Sequence, residues 1–527
     1  MVFSPPSWVP QFPMDPPDSI SIAEFMSNDK YGRYPLAKAR SPFVCGVTGQ
    51  AYTAAEVVDR ETCLAQAIKK RLGFTHEGSE WDRVVALFSL NTIDYIPLTH
   101  AIHRVSGIVS PVNPAATAVE LEQQLRASGL VALFTCSRLL PVALKAAQAK
   151  GILKERIFIL LIQNEDKIDQ FTTIYNLIEE GKALPELELI NWSKGQGARQ
   201  VAYLCFSSRT SGLPKAVIIS HFNVIANVIQ LMTFESIYRK SQGINSQVLL
   251  GLLPFSHAYS LIIIVYVAPY RGDEQFKIKQ LNIIPPILVQ MIANQKKYSK
   301  FNLNSVRYVY TGSAPLGSET INSLFILYPH WHIGQVYGMT ETAVMIISTS
   351  ESDILYRSSG SLLPSISAKI IDIDRNEVTV YKIPGKLFVQ GPSVTLGTGN
   401  KAIIQKSPQG HNHYIIINRI KKLIKVKGMQ VAPAELEAYL LTHPYASDCA
   451  VIQTHHKRSG EVPKAFIVRS KESLGKTESE MAQAICEHLV GSVEFINAIP
   501  KNPTGKILRR HLREKENMAR KESNARL

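Results

Sequence analysis

The chain contains 527 residues, of which 58 are Lys or Arg and 43 are Asp or Glu, so its formal net charge is +15. Apolar residues make up 45% of the chain and charged residues 19%, proportions that exclude wholesale disorder. At roughly 150 residues per domain, the length predicts about three or four lobes around a large buried core.

Cysteine spacing and hydropathy narrow the class of protein further. Six cysteines are scattered along the chain without a CxxC pair, which argues against a zinc module or a disulfide scaffold and favours a reducing compartment. One of the longest apolar stretches, SLIIIVYVAP at 260–269, is shorter than the ~20 residues that a membrane helix needs. The N-terminal segment lacks the charged start followed by an apolar run that is typical of a secretory signal. We therefore expect a soluble intracellular protein with no membrane span.

The N-terminal four-fifths of the chain alternates strand-like and helix-like segments. Residues up to about Ser41 are rich in Pro and predict an extended lead-in. The following segments predict strand, helix, strand, helix and strand in turn: VVALFSL (84–90), TAVELEQQLRAS (117–128), LVALFTC (130–136), 141–150 and IFILLIQ (157–163). A second series contains VAYLCF (201–206), SVRYVYTGS (305–313) and WHIGQVYG (331–338). Short apolar runs between helices predict parallel sheets that are covered on both faces.

The remaining segments predict two smaller units. A strand-rich region extends from SAKIIDI (367–373) to GKLFVQG (385–391), and VKGMQVAPAELEAYLLTHPYASDCAVI (426–452) has the pattern strand, helix, strand. The predicted fold is α/β, with a large N-terminal domain of parallel sheets flanked by helices, a β-subdomain, and a small α+β C-terminal domain. A change of pattern and of charge near Asn418 predicts domains at 1–417 and 418–527.

Positive charge is concentrated in the C-terminal fifth, where residues 419–527 contain 20 Lys or Arg and 12 Asp or Glu. The basic residues cluster in RIKKLIKVKG (419–428) and KNPTGKILRRHLREK (501–515). Three interpretations are open: a nucleic-acid surface, a solvated face, or a site for a small polyphosphate such as a nucleotide or coenzyme A. No zinc finger, aromatic-rich RNA-binding signature or basic-zipper heptad supports the first, so we expect no nucleic-acid partner.

The most specific local motif is YLCFSSRTSGLPKAVIISH at 203–221. A strand runs into a loop of hydroxyl residues and Gly, which is followed by Lys215 and a further strand. Backbone N–H groups and hydroxyls in such a loop can hold phosphate oxygens, and a lysine can neutralise them. The Walker pattern GxxxxGK[ST] is absent, and taken alone such a motif is more often an ordinary Ser/Thr-rich turn.

Two further motifs follow predicted strands. GQVYGMTET (334–342) brings together an aromatic ring, a flexible Gly, a hydroxyl and a carboxylate. Tyr337 could stack on a base and Glu341 could hold Mg²⁺, or the segment is a tight turn with Thr340 as its cap and Glu341 in solvent. LLPFSHAYS (252–260) places His257 after a strand, where it either lines a pocket or is structural.

The last motif is IPKNPTGKILRR at 499–510, which places Lys506 in a turn made by Pro503 and Gly505. A lysine on a stiff, exposed turn is suited to delivering a positive charge into a site built by other segments. An ordinary surface lysine is the alternative when this motif is considered by itself.

In this order, the four motifs resemble those of the adenylate-forming superfamily, which includes acyl-CoA synthetases, luciferases and peptide-synthetase adenylation domains. NRIKKLIKVKGMQVAPAELEAYLLTHP (418–444) is especially similar to the linker and C-terminal domain of the 4-coumarate–CoA ligase branch. Within the superfamily, the chain looks most like fungal, peroxisomal acyl-CoA ligases of secondary metabolism, some of them toxin-related. The resemblance covers nearly the whole chain.

The resemblance implies an ATP-, Mg²⁺- and coenzyme A-dependent acyl-CoA ligase acting on a small carboxylic acid. Lys506 would be the catalytic lysine, His257 the gate between the acyl group and the thiol tunnel, Thr340 a contact to the α-phosphate, and Glu341 the magnesium ligand. The implied ATP/AMP-binding residues are Ser207, Ser208, Thr210, Ser211, Gly212, Lys215, Gln335, Tyr337, Gly338, Met339, Asn400, Arg419, Lys425 and Gln430. The implied acyl-pocket residues are Tyr259, Ser260, Gly312, Ser313, Ala314 and Met345. Lys427 and Gly428 would lie along the CoA path.

The same resemblance exposes departures from the family pattern. Arg209 replaces a Gly of the phosphate loop, Asn400 replaces the Asp expected at the ribose, and Asn418 replaces the Asp expected at the hinge. The chain is also short in three places, after RGDE (271–274), around SVTLGTGN (393–400) and within AICEHLVGSVEFINAIP (484–500). A degenerate, weakly active or inactive relative is therefore the alternative hypothesis to an active ligase.

The final tripeptide Ala525-Arg526-Leu527 resembles the small–basic–Leu form of a peroxisomal address, and otherwise a cytoplasmic location is expected. The acyl substrate is left open among aromatic, branched and medium-chain acids, and so is the oligomeric state.

Overall fold

The computed structural model describes residues 2–524 except 40, 76–77, 163–169, 189, 208–214, 273–277, 373–375, 396–399, 408, 419–423, 427–428, 432, 457–459, 474, 487–491 and 502–506. Within these residues, no helix is both long and apolar enough to cross a lipid bilayer.

The first part of the chain forms a helix-flanked sheet with a small hairpin beside it. The strands are β1 (Phe43–Val44), β2 (Ala51–Tyr52), β3 (Val84–Phe88), β4 (Ile108–Pro111), β5 (Ala132–Cys136), β6 (Ile157–Leu160), β7 (Thr172–Thr173), β8 (Val201–Ser207) and β9 (Lys215–Ser220). The helices are α1 (Ile22–Ser27), α2 (Ala54–Leu72), α3 (Tyr95–Arg104), α4 (Ala118–Ser128), α5 (Leu140–Lys150), α6 (Ile174–Lys182), α7 (Gln196–Arg199) and α8 (His221–Ser241). The sheet has the order β7-β6-β5-β3-β4-β8-β9, and all its pairs are parallel except β8 with β9.

The central strands of this sheet are buried on both faces. Every residue of β3 and of β5 is buried, as the continuous apolar runs predicted, because helices cover both sides of a parallel sheet. The helices begin where their caps require. Thr53, Thr117 and Ser220 each accept a hydrogen bond from the backbone of the third helical residue in a capping box, an arrangement that satisfies otherwise unpaired N–H groups.

A second sheet and a β-subdomain follow. The strands are β10 (Gln280–Ile283), β11 (Tyr308–Thr311), β12 (His332–Met339), β13 (Val344–Ser348), β14 (Ser361–Leu362), β15 (Ser367–Ile371), β16 (Gly385–Gln390), β17 (Asn400–Lys406) and β18 (Asn412–Asn418). The helices are α9 (Ala258–Ser260), α10 (Ala268–Tyr270), α11 (Pro285–Ala293), α12 (Gln295–Tyr298) and α13 (Ser318–Leu327). β10, β11 and β12 are parallel, β13 and β14 continue the sheet antiparallel, and β15 to β18 form an antiparallel sheet in chain order.

The apolar stretch at 260–269 is an interior element of this region. A π-helix, Leu261–Val267, joins α9 to α10, and all of its residues are buried. It packs against α8. Burial against another helix explains an apolar run that is too short to span a membrane.

The C-terminal part has its own sheet and core, as the α+β prediction requires. Its strands are β19 (Ile424–Val426), β20 (Met429–Val431), β21 (Ala446–His456), β22 (Gly460–Arg469) and β23 (Ser492–Phe495), and its helices are α14 (Pro433–Leu440), α15 (Glu478–Cys486) and α16 (Arg509–Asn524). The sheet order is β20-β19-β22-β21, with β23 parallel to β22. Alternate residues of β21 face two separate apolar clusters, which follows from the two-residue period of a strand. The division at 417/418 stays a prediction.

The prediction of an extended lead-in was wrong for part of the N-terminal segment. Residues 22–27 form α1, which buries Ile22, Ala23, Phe25 and Met26, and the ring of Phe25 stacks on Tyr270 at 5.0 Å between centroids. Phe3 forms a β-bridge with Ala368. The Pro-rich composition predicted an absence of periodicity, but a single helical turn with an apolar face is enough to add this segment to the core.

Candidate active site

The phosphate-loop motif lies at the end of the first sheet. Ser207, the last residue of β8, is the antiparallel partner of Lys215, the first residue of β9. The predicted loop residues Ser208, Thr210, Ser211 and Gly212, together with Arg209, lie outside the described residues. The structure thus shows the two strands that the sequence predicted before and after the proposed loop, paired with each other.

The GQVYGMTET motif forms the end of β12 and a short 3-10 turn, Thr340–Thr342. The turn contacts β9, so Thr340 and Glu341 lie near the strand that follows the phosphate loop. The hydroxyl that caps the turn belongs to Thr342, which accepts a hydrogen bond from Met339 N at 3.0 Å. The tight turn of the alternative interpretation is therefore present, but Thr342 rather than Thr340 caps it. Both Thr340 and Glu341 are partly exposed to solvent.

The backbone around this turn is tightly constrained. Ala343 has φ +43° and Val344 has φ +107°, and a positive φ is a genuine outlier for a β-branched residue. A Cβ on Gly338 would lie 1.4 Å from the carbonyl oxygen of Val344, so this glycine allows two chain segments to touch. Backbone strain of this kind persists where surrounding contacts over-determine it, and it often marks functional sites.

A second segment, which contains Thr395, is hydrogen-bonded to the turn. The carbonyl oxygen of Glu341 accepts hydrogen bonds from both the backbone N and the hydroxyl of Thr395, each at 2.7 Å. Thr395 precedes the predicted ribose residue Asn400, which begins β17 opposite Leu387. The two segments predicted to contact the nucleotide are therefore joined directly through Thr395 and Glu341.

Helix α8 fixes three segments of the site through amide side chains that the sequence analysis missed. Asn223 donates to the carbonyl oxygen of Pro392 at 2.9 Å, Asn227 to that of Met345 at 2.7 Å, and Gln230 to that of Pro364 at 2.9 Å. The backbone N of Met345 also donates to Asn227 Oδ1 at 3.3 Å. The spacing i, i+4, i+7 places the three amides on one helix face, and this spacing on the helix after the phosphate loop was the available signal.

Four of the predicted acyl-pocket residues form a buried wall. The Tyr259 hydroxyl donates to Tyr310 O at 2.9 Å, and burial raises the pKa of the Tyr259 phenol, so this hydroxyl remains a donor. Ser260 and Met345 are fully buried. A Cβ on Gly312 would meet Val336 Cγ2 at 2.7 Å and the Tyr259 ring at 3.5 Å. By contrast, Ser313 and Ala314 are exposed and do not belong to this buried wall.

His257 lies on a loop whose backbone is held by the side-chain amide of Asn91, which no sequence motif indicated. Its Nδ1 accepts a hydrogen bond from Tyr259 N at 3.2 Å, which caps the following helix. Asn91, just after β3, donates to Gly251 O at 3.1 Å and to Leu253 O at 2.9 Å, and accepts from Phe255 N at 2.8 Å. Asn91 thus fixes the backbone directly before His257, and no local pattern in the sequence indicated this contact.

The Gln335 side chain is hydrogen-bonded to the loop that follows β11. It is buried, and its Oε1 accepts a hydrogen bond from Leu316 N at 2.9 Å. Tyr337 and Met339 are partly exposed, and the Tyr337 hydroxyl lies 3.8 Å from the sulfur of Met339. These three predicted nucleotide contacts and Gly338 therefore follow one another along the end of β12.

The C-terminal site residues are only partly described. Lys425 on β19 and Gln430 on β20 are antiparallel partners. Arg419, Lys427, Gly428 and Lys506 lie outside the described residues.

The carboxylate donors present fit a magnesium ion better than a metal cage. Across the part of the chain that the structure describes, no group of three or more His, Cys, Asp or Glu side chains is arranged to hold a metal. Mg²⁺ is commonly held by one or two carboxylates together with substrate phosphates. Glu341, partly exposed on a turn next to β9, is suited to that mode.

Replacing Gly312 by alanine is expected to impair use of the acid substrate, because the new Cβ would overlap Val336. Overpacking of this kind costs about 1–3 kcal/mol of folding free energy. A distortion of the wall that weakens binding of the acid by about 1.4 kcal/mol would raise KM for the acid roughly tenfold. The double variant with Val336→Ala removes the overlapping methyl group and should restore KM. Steady-state kinetics with the best acid measures both, and an unchanged KM in the single variant would contradict the assignment of Gly312 to the acyl wall.

Comparison with known proteins identifies the family. Residues 36–397 match the family model of the AMP-binding enzymes, and residues 435–506 match that of the AMP-binding enzyme C-terminal domain. The chain belongs to the AMP-binding enzyme family, the adenylate-forming superfamily that the motifs indicated. Among similar proteins, an acyl-CoA ligase of Emericella nidulans is 35% identical over 97% of this chain and 100% of its own length. An acyl-CoA ligase of Alternaria alternata is 36% identical over 100% of this chain and 99% of its own.

Solved structures support the fold. The anthranilate CoA ligase AuaEII in complex with anthranoyl-AMP superposes with a TM-score of 0.76 at 20% identity, over 95% of this chain and 98% of its own. ATP-bound MatB from Rhodopseudomonas palustris has the same TM-score at 22% identity, over 94% of this chain and 99% of its own. The architecture of parallel sheets with a separate C-terminal domain is therefore confirmed.

The alignments also bear on the apparent shortness of the chain. The comparison with the Emericella protein extends over 566 positions and that with the Alternaria protein over 585, against 527 residues in this chain. Both relatives therefore contain residues that have no counterpart here, as the resemblance predicted.

Proposed function

We propose that the protein is an ATP-dependent acyl-CoA ligase that activates a carboxylic acid as its acyl-adenylate and transfers the acyl group to coenzyme A. The observation that carries the proposal is the convergence of the Thr340–Thr342 turn with β9 and with the segment that precedes Asn400. The turn that contains Glu341 thus lies beside the strand that follows the proposed phosphate loop and beside the segment that leads to the proposed ribose residue, which supports the proposal. Similarity to acyl-CoA ligases over nearly the full chain supports the same reaction.

The proposed chemistry follows from the charges at the site. Attack of the substrate carboxylate on the α-phosphate forms a C–O–P linkage, expels pyrophosphate and develops charge on the phosphate oxygens. Lys506 and Thr340 would stabilise that charge more in the transition state than in the ground state. Glu341 would hold Mg²⁺, which would supply additional positive charge to the phosphates. The CoA thiol then attacks the acyl carbonyl and AMP leaves.

The acyl wall and the nucleotide turn are connected, which supports a shared acyl-adenylate site. Met345 follows the turn on β13, and its sulfur lies 3.6 Å from the Tyr310 hydroxyl. Tyr310 in turn accepts the hydrogen bond of Tyr259 through its carbonyl oxygen. The adenylate and the acyl group would thus contact adjacent parts of one continuous surface.

The test is pyrophosphate release from ATP with a panel of aromatic, branched and medium-chain acids, with and without coenzyme A. We expect at least one acid to release pyrophosphate and to yield its CoA thioester when the thiol is present. AMP release that needs no coenzyme A would indicate a different acceptor. The proposal fails if no acid in the panel releases pyrophosphate above the rate without acid.

A degenerate, weakly active or inactive ligase is the second candidate. It is favoured by the segments that relatives contain and this chain lacks, and by the substitutions at Arg209 and Asn400. Such a protein would bind ATP or an acid without turnover. Calorimetric binding of ATP in the absence of any pyrophosphate release distinguishes it from the active ligase.

Changing Asn400 to Asp is expected to lower KM for ATP. A charged acceptor bonds ribose hydroxyls more strongly than a neutral amide by about 1 kcal/mol, which corresponds to roughly a fivefold change. Initial rates at varied ATP concentration measure the effect, and KM for the acid serves as the internal control. An Asp variant with unchanged KM for ATP would argue against a ribose contact at this position.

A role in fungal secondary metabolism is part of the proposal, supported by the fungal sources of the acyl-CoA ligases that resemble the chain.

Import into peroxisomes through Ala525-Arg526-Leu527 is likewise proposed. Removing these three residues from a fluorescent fusion should move its signal from peroxisomes to the cytosol, and an unchanged location would eliminate the address.

A further inference from the structure

The segment that carries Lys506 is bracketed by a β-bridge in the C-terminal domain. Residues 502–506 lie outside the described part of the chain, but Lys501 and Ile507 on either side of them are antiparallel bridge partners. Leu508 N also donates to Pro500 O at 2.8 Å. The two ends of the segment are therefore fixed against each other.

Two ion pairs attach these ends to different elements. Lys501 Nζ lies 2.6 Å from Asp448 Oδ2 near the start of β21, with side chains 28% and 31% exposed. On the other side, Arg509 NH2 lies 2.5 Å from Glu437 Oε1 on α14, with side chains only 13% and 11% exposed. Exposed ion pairs contribute little, so the pair of Arg509 with Glu437 is the stronger anchor.

Arg509 and Glu437 also share a backbone partner, Val451, which fixes the orientation of both side chains. Arg509 Nε donates to Val451 O at 3.0 Å, and Val451 N donates to Glu437 Oε1 at 2.7 Å. The guanidinium, the carboxylate and the backbone of one residue of β21, Val451, thus form a closed set of hydrogen bonds. A planar guanidinium has the fork geometry to make these contacts simultaneously, whereas an ammonium group does not.

The chain between Arg509 and position 506 has little freedom. Ile507 packs on the cluster of Ala450, Ile452, Phe466, Ile499 and Leu512, so the backbone immediately after the proposed catalytic lysine lies against the sheet. A lysine side chain is a flexible stem with a charge at its tip, so the position of its backbone determines where the charge can reach. Misplacement of a reacting group by about 1 Å can cost on the order of 100-fold in rate.

We propose that Arg509, through its pair with Glu437, is a positioning residue for Lys506 in the adenylation step. The inference rests on the proposed ligase function. It predicts that Arg509→Lys, which keeps the positive charge, affects adenylation alone. Adenylation requires the lysine, whereas attack of coenzyme A on a finished acyl-adenylate does not, so only the first half-reaction should respond.

The experiment measures the two half-reactions separately in the full-length protein. Single-turnover pyrophosphate release reports adenylation, and thioester formation from synthetic acyl-adenylate and coenzyme A reports the second step, with the acid that is fastest in the panel. Arg509→Lys and Glu437→Gln should lower adenylation roughly 10- to 100-fold and change thioester formation by less than about twofold.

A matched control separates positioning from stability. Lys464 pairs with Glu516 in the same domain, with side chains 15% and 11% exposed, and also with Glu494, yet none of these residues adjoins the Lys506 segment in sequence. Glu516→Gln should lower the thermal midpoint while leaving both half-reactions unchanged. The double variant Glu437→Gln/Arg509→Lys should lose no more adenylation than the worse single variant, because the two residues act as one unit.

Each outcome decides between the possibilities. If Arg509→Lys slows both half-reactions equally, or if Glu516→Gln reproduces its loss of adenylation, the pair is only structural and the proposal is overturned. Full adenylation in Arg509→Lys would overturn it as well. If the unmodified protein forms no adenylate with any acid, the proposed ligase function fails. This result differs from failure of the positioning role, which would appear only in the variants.

Discussion

Replacing Lys506 by alanine is expected to lower pyrophosphate release by about 100- to 1000-fold, the usual effect of removing one group that stabilises transition-state charge. The α-phosphate gains negative charge as the carboxylate attacks, and no other positive side chain of the IPKNPTGKILRR motif is expected to reach it. Single-turnover pyrophosphate release measures the loss. Thioester formation from synthetic acyl-adenylate should be preserved, since that step does not involve charge on a transferring phosphate.

Lys476 provides a matched control for this variant. It is an exposed lysine of the same domain, directly after the turn at Gly475, and its replacement by alanine should leave both half-reactions unchanged. A Lys506→Ala protein with the pyrophosphate release of its parent would remove the catalytic lysine from the mechanism, and equal losses in both half-reactions would assign Lys506 to general folding of the domain.

Replacing Gly338 by alanine is expected to destabilise the protein and abolish most of its activity. The added Cβ would lie 1.4 Å from Val344 O and 2.9 Å from Met345 Cα, and backbone atoms cannot rotate away as a side chain can. β12 and β13 would have to separate at their irregular register, between Tyr337 and Gly338. Overpacking in a close-packed interior costs up to about 3 kcal/mol and occasionally more, and this position belongs at the upper end.

Thermal unfolding and pyrophosphate release measure the two consequences of Gly338→Ala. Gly46 is the control, because a Cβ there would meet no atom within 4 Å and its φ is not in the left-handed region. Gly46→Ala should therefore change neither property. A Gly338→Ala protein with normal stability and activity would mean that the approach of Val344 to Gly338 is not required in the active conformation.

Much of the fold could be predicted because it rests on local pattern. The apolar run at 84–90 became the buried strand β3, and the segment at 117–128 became α4 with Thr117 as its cap. Residues 426–452 produced the expected strand, helix and strand. The information is carried by the run or period of apolar residues and, for α4, by the capping residue Thr117, and none of these signals depends on distant parts of the chain.

The site was predictable to a different degree. The phosphate-loop and GQVYGMTET motifs could be found because each keeps its chemical groups within a few consecutive residues. Their structural details differed from expectation where several side chains competed for one role. Thr342 rather than Thr340 caps the turn, because neighbouring residues of the same type cannot be distinguished by composition. Ser313 and Ala314 are exposed and are not part of the buried wall.

The contacts that hold the site together depend on the folded chain. Asn227 and Met345 are separated by 118 positions, Asn91 and Phe255 by 164, and Arg509 and Glu437 by 72. Local periodicity contains no information about such pairs, because their meeting depends on sheet order, strand register and helix packing. The linear chain was sufficient to indicate an AMP-binding enzyme of the acyl-CoA ligase type. The amides on α8, the wall at Gly312 and the anchoring of the Lys506 segment became visible only when packing brought distant residues within hydrogen-bonding distance.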